Sequence, residues 1–424
     1  MKLRRLGYLI AIFVVATLIG NLLQAGGDSR KYSESYPELI CPNVGGTQAQ
    51  ISLTTSKRLV RYLPSKSYKF FTAKTTRLLT QKSSVIVDGE GTSSMAWISK
   101  PGVWAGGVNC LSAQAEQFFV GGAADITSKS KLVVINAGLS SSIVDVITYS
   151  EGTSFKKTIT VGKNQSATLT LVSLAPGAKA VAMQVIPRTG RVASYLVDER
   201  GKGLQTLGGD IVNSQSELSK VLLIPGIAHS KTNKSHLLRI LNPGIASTVV
   251  TVEVLSKDGR YIPVGLDGRK VGAGKVADIV FDFDSKQNSF GLRITSDQPI
   301  AASAYSRTGK DFVWSSSVAP NITGTWAVTG IDPTMQFIGD EIKVKVTALL
   351  PGKKKVSKTI EGADYVSYKV PKNSIGIRID SISKGTASAL LVTSQSGIGF
   401  MPLTNGSTLT RSTVPTANIG VLNP

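Results

Sequence analysis

The side chains of this sequence that could do chemistry are few, and their spacing decides what kind of chemistry is open to them. His229 and His236 lie in one polar stretch, IAHSKTNKSHLL. Their odd separation puts them on opposite faces of a strand, and it is not the i, i+4 spacing of a helical metal pair. The expected setting is a solvated loop, and no metal ligand is assigned. Cys41 and Cys110 have no histidine companions in sequence, so neither a zinc site nor an activated thiolate is indicated. Gly138-Leu139-Ser140 lacks the second glycine of a nucleophile elbow and its strand–helix context.

Carboxylates are scarce, with 27 acidic against 48 basic residues. Asp278, Asp282 and Asp284 cluster in ADIVFDFDSK. Alternation directs Ile279, Phe281 and Phe283 inward, and Asp282 and Asp284 outward beside Lys275 and Lys286. That is a solubilising arrangement, with too few oxygen ligands for calcium. A glycan-active enzyme would need a carboxylate pair at a cleft, and nothing in the sequence points to one. The expectation is therefore no catalytic residue, no metal and no cofactor.

Charge gives the sharper pattern. Lys57, Arg58, Arg61, Lys66, Lys69, Lys74, Arg77 and Lys82 follow one another without an acid, with Tyr62, Tyr68, Phe70 and Phe71 between them. Such a run suits an anionic lipid or cell-wall polymer, and the plain alternative is a solvated sheet face. Period-two spacing places Lys57 with Arg61 on one face. The formal charge of +21 agrees with anionic partners. Aromatics at 6% and the lack of a stacking motif argue against nucleic acid. No protein partner can be named.

The elements that would position these residues are strands. Residues 1–25 carry Lys2, Arg4 and Arg5 before an uncharged run from Leu6 to Leu23, long enough for a membrane helix. They are read as an anchor, or alternatively as a cleaved signal, with the rest of the chain outside the cytoplasm. Outside, two cysteines predict one Cys41–Cys110 disulfide, the alternative being two separate buried thiols.

Residues 26–44 read as a spacer, and residues 45–117 as a short, degenerate β domain. Two repeats follow, 118–213 and 214–320. Gly122 answers Gly226, Asn136-Ala137-Gly138 answers Asn242-Pro243-Gly244, and Gly152 answers Gly259. Glycine at positive φ is expected in both turns, of type II in the second. The stretch from Gly208 to Leu218 is the expected seam. A fainter third repeat with a frayed tail fills 321–424, with Trp326–Gly330 as its opening and Gly352 in the place of Gly259. A period of about 105 residues is the size of one sandwich domain. The fold class expected is all-β, as tandem immunoglobulin-like β-sandwiches after one N-terminal transmembrane helix or signal segment.

The succession EQFFVGG, LVVINAG, VDVITYSEG, LLIPGIA, LLRILNPG, VEVLSKDG and QPIAASAYS resembles the uncharacterised exported proteins of actinobacteria that form a domain of unknown function. Phe118 stands where the family phrase has tryptophan. The resemblance covers roughly residues 40–400 and implies fold and compartment, with no activity to carry over. The function expected is a non-catalytic extracytoplasmic envelope protein, a membrane-tethered scaffold or adhesion and spacer module. Binding of a wall polysaccharide, anionic polymer or lipid is the alternative, and a glycan-active enzyme the third.

Overall fold

In the computed structural model, the described residues are Val14, Val15, Thr17, 32–89, 91–404 and 412–415. They divide into a large unit, Pro37–Thr408, and a small one joining Met1–Tyr36 with Leu409–Pro424. In the small unit Tyr32–Ser35 pairs antiparallel with Ser412–Pro415. Most of the expected membrane segment and most of the expected frayed tail lie outside the described residues. Among the described residues no helix is long and apolar enough to cross a membrane.

The class is all-β, as the alternation of apolar and polar residues predicts. What alternation does not predict is the pairing. The second module shows it most simply, with eight strands: Gln117–Val120, Lys131–Asn136, Ser142–Tyr149, Ser154–Val161, Gln165–Thr170, Ala182–Pro187, Ala193–Lys202 and Gln205–Val212. One sheet has the order first, sixth, third, fourth, and the other the order fifth, second, seventh, eighth. Leu132, Val134, Val144, Val146, Met183 and Val185 fill the space between them.

The same order recurs in all four modules. In the first module the strands Tyr32–Cys41, Ser84–Gly89, Leu59–Leu63 and Phe71–Thr72 make one sheet. Arg77–Thr80, Gln48–Ser52, Met95–Lys100 and Trp104–Asn109 make the other. The stretch expected to be short and degenerate is therefore a full copy, and its first strand occupies much of the expected spacer. In the third module Ser289–Thr308 runs through both sheets as sixth and seventh strand. In the fourth, Pro333–Leu349 is second and third, and Lys355–Lys369 is fourth and fifth. Where a strand bends from one sheet to the other without a turn, sequence offers no punctuation.

The modules close on one another. Their eighth strands, Trp104–Asn109, Gln205–Val212, Asp311–Ser316 and Gly397–Pro402, stand around one axis, each touching the next and the fourth touching the first. This propeller-like ring replaces the expected string of immunoglobulin-like sandwiches. Side chains cross every seam: Val133, Ile135 and Tyr195 join the first module's core, and Phe312 and Trp314 the second's. Trp97 and Ala105 of the first module complete the core of the fourth. At the axis the backbones nearly touch. A Cβ on Gly399 would lie 2.6 Å from Gly107 N and 2.6 Å from the Trp97 ring.

The repeat shows in detail at the two asparagine turns. Asn136 Nδ2 donates to Ser140 O at 2.8 Å and Val161 O at 3.0 Å, and Asn242 Nδ2 donates to Ala246 O at 2.8 Å and Gly272 O at 3.1 Å. Each Oδ1 accepts the N–H of the glycine two residues on, Gly138 or Gly244. Neither glycine has positive φ: the carboxamide closes the turn, which corrects the expected left-handed and type II turns. The next hairpin is matched on Ser150 and Ser256, whose hydroxyls donate to Thr153 O and Gly259 O. Gly152 and Gly259 thus differ by one place, while Gly352 does lie in the same hairpin of the fourth module as Gly259 does in the third. Of the expected seam from Gly208 to Leu218, the part up to Val212 belongs to the axial strand Gln205–Val212, and residues 213–218 make the link to the third module.

Candidate functional site at the seams between modules

The basic run is split by the strand that carries it. Along Leu59–Leu63 the side chains of Val60 and Leu63 enter the first module's own core, and Arg61 points to the second module. It is buried at 3% exposure. Its guanidinium donates to Asn164 Oδ1 at 2.5 Å and Ala137 O at 2.9 Å, pairs with Glu38 at 3.2 Å, and lies over the rings of Tyr68 and Phe70. Arg58, at 1% exposure, donates to Asp88 O. These two arginines are structural clamps, which corrects their place in a binding stripe. Lys57, Lys66, Lys69, Lys74, Arg77 and Lys82 are exposed, although Arg77 Nε donates to Gln50 Oε1 at 2.6 Å. Cys41 and Cys110 form the expected disulfide, with Cα atoms 4.3 Å apart and both side chains fully buried.

Each module has a left-handed glycine at or just after the end of its first strand: Gly46, Gly122, Gly226 (inside Ser219–Ala228, where the register shifts) and Gly330, with φ of 85°, 87°, 80° and 77°. Trp326–Gly330 is thus the opening of the last module, as its sequence predicts. Three of these glycines face a long polar side chain on the next module. Arg239 donates to Gly122 O and to Val181 O, and holds Asp278 in a two-pronged pair at 2.7 and 2.8 Å. Gln336 lies so close to Gly226 that a Cβ there would meet its Cγ at 2.6 Å. A Cβ on Gly330 would meet Gln50 Nε2 at 2.7 Å, and Gln50 donates to Thr329 O at 3.2 Å. The first seam differs. Near Gly46 the second module presents Val133, and a cleft of about 520 Å³ opens between Asn43–Gly46, Gln81–Ser84 and the strands of Lys131 and Thr168.

A larger cleft, about 800 Å³, lies at the third seam, with His229, Lys257, Lys286, Ser289 and Gln336 in its wall. The histidines are not on one strand. His229 follows Ser219–Ala228 and His236 begins Ser235–Asn242, so the loop between them turns the rings toward each other. Their Nδ1 and Nε2 atoms are 3.1 Å apart, and Phe281, Phe283 and Phe290 surround them. The expected solvated loop is corrected: both rings are buried, because the intervening loop removes the parity on which that reading rests. His236 also meets Ser306 Oγ at 2.9 Å, and His229 meets Ser285 O at 3.2 Å. Among the described residues no group of three metal-binding side chains is assembled.

At the axis, Asp311 accepts the N–H groups of Gly209 at 3.0 Å and Ala105 at 3.4 Å, tying three modules together. Asp210 accepts Trp314 N–H at 2.7 Å, and Asn213 donates to Gly107 O and Phe400 O. Burial pushes the Asp311 carboxyl up to about 6, against the pull of its backbone donors. Burial also pushes Asp210 well up, an effect the neighbouring Asp311 adds to. The sequence signal for this axis was the doublets Gly106-Gly107 and Gly208-Gly209 inside strand-like runs, which mark close backbone approach.

Asp311 and His236 should work against each other as pH changes. The raised Asp311 holds its proton in the fold, so its stabilisation is complete below the ordinary value of 3.8 and is lost as pH rises through about 6. Burial, with the charge of His229, pushes His236 down to about 4, so its contribution is present above 6.5 and is lost as pH falls. Asp210, also raised by burial, still opposes the histidine in Asp311→Asn, so the expected result is a shift: the change in stability from pH 4.5 to 6.5 becomes more positive than in the parent protein by roughly 2 kcal/mol. His236→Asn should shift that change in the opposite direction. Denaturant titrations at the two pH values check this, and parallel curves for both variants would contradict it.

No curated protein matches this chain. A solved structure described as the crystal structure of a tetra-tandem repeat in the extending region of a large adhesion protein is 13% identical, covering 84% of this chain and 91% of its own. Its TM-score of 0.12 establishes no likeness of fold. A family model does match, over residues 77–371, from within the first module into the fourth. The chain belongs to that family of unknown function, DUF5719.

Proposed function

We propose that this protein is a non-catalytic extracytoplasmic envelope protein, a rigid scaffold that presents binding surfaces outside the membrane. The observation that carries this reading is the Cys41–Cys110 disulfide, buried at 0% exposure at both ends. Disulfides of this kind persist in oxidising compartments and are rare in the cytosol. The actinobacterial, exported character implied by the resemblance of its motifs fits the same compartment, as does an apolar N-terminal run acting as anchor or signal. Alkylation under denaturing conditions, after acid quenching of the cells to trap the thiols, should leave both cysteines unmodified until a reductant is added. Two thiols that react without reduction would overturn the reading.

A second reading is supported by the six exposed basic residues of the first module: the scaffold binds an anionic envelope polymer or lipid surface. Such attraction is screened beyond about 8 Å at physiological salt. Retention of the protein on anionic vesicles or a soluble polyanion should fall steeply from low to high salt. Lys57→Gln, Lys66→Gln, Lys69→Gln and Lys74→Gln together should remove most of it with the fold intact. Unchanged retention would reduce the stripe to a solvated face.

A further inference from the structure

We propose that the cleft between the first and second modules is a binding site for a phosphate group carried on a polyol or sugar. The four seams are built alike, and three have the space beside the left-handed glycine filled by Arg239, Gln336 or Gln50. At the first seam the short Val133 leaves that space open. A Cβ on Gly45 or Gly46 would meet nothing within 4 Å, and the cleft of about 520 Å³ is of small-ligand size.

The lining decides the ligand class. Lys82 and Lys131 bring two ammonium groups, Ser84, Ser166 and Thr168 bring hydroxyls, and Asn43 brings a carboxamide, while no carboxylate lines the cleft. Lysine is a point charge that suits the tetrahedral phosphate, whereas planar carboxylates favour the fork of arginine. The nearby guanidinium of Arg61 is already committed to Asn164, Ala137 and Glu38. The hydroxyls left over suit a polyol beside the phosphate. The site shares Lys82 with the exposed stripe, yet it rests on the cleft and not on that stripe.

The test uses the full chain with its disulfide intact, titrated calorimetrically with inorganic phosphate, glycerol phosphate and, as neutral control, glycerol. Saturable binding of glycerol phosphate is expected, tighter than that of inorganic phosphate, with none for glycerol. Lys82→Gln with Lys131→Gln should weaken it about tenfold or more, and Thr168→Glu should do the same by repulsion. Lys353→Gln, Lys354→Gln and Lys355→Gln together, which remove three exposed charges of the fourth module outside the cleft, should leave it unchanged. A soluble glycerol-phosphate polymer and vesicles of an anionic phospholipid, each competed against glycerol phosphate, distinguish the two sources of the group. Absence of saturable binding, or equal weakening by the two lysine sets, overturns the proposal.

Discussion

Replacing Cys41 and Cys110 with alanine should cost about 4 kcal/mol in the free energy of unfolding. The bridge spans a sequence separation of 69, and the loop-entropy relation gives that figure for a closed loop of this size. The bridge also sits in a braced place. Ile40 and Leu111 exchange backbone hydrogen bonds at 2.8 and 3.1 Å, and the Tyr195 hydroxyl of the second module donates to Ile40 O and accepts Leu111 N–H. Loss of the bridge should therefore loosen the first module together with its grip on the second. Denaturant titration with and without reductant measures it, and a change below about 1 kcal/mol would show that the braces suffice alone.

Arg239→Ala should cost about 3–5 kcal/mol, from two buried carbonyls left without a donor and a hollow where the side chain lay. Its side chain is 3% exposed and lies 5.0 Å from the Trp314 ring. Truncation strands the carbonyls of Gly122 and Val181 inside the second seam and leaves a hollow there. Asp278→Ala should cost much less, on the order of 1 kcal/mol, because that carboxylate is 27% exposed and water can take its place. Equal losses from the two variants would mean that the ion pair, and not the plugging of the seam, is what matters.

The class and two of the turns could be read from sequence because strand alternation and the Asn136 and Asn242 turns are local properties. The disulfide could be read because two cysteines have only one possible partner each. The ring could not, since its seams join residues as far apart as Asn109 and Thr404, which meet at 3.0 Å. Arg61 looked like one more base in a run because its partners, Asn164 and Ala137, come from another module. The histidine pair was missed for a similar reason: parity along a strand says nothing about two strands folded face to face. Gly46 was legible as well, since Val44-Gly45-Gly46 repeats Val120-Gly121-Gly122, and it shares its left-handed turn with Gly122, Gly226 and Gly330.

The closed ring has an evolutionary consequence. A string of sandwiches can be lengthened or shortened by duplicating or deleting one unit, and its neighbours hardly notice. Here the core of the fourth module is completed by Trp97 and Ala105 of the first, and three of the four seams carry a plug of their own. A fifth unit would have to open a seam and meet side chains shaped for another partner, so inserted length is tolerated only in the surface loops. Relatives that share this closure should therefore differ in loop size and keep the number of modules at four.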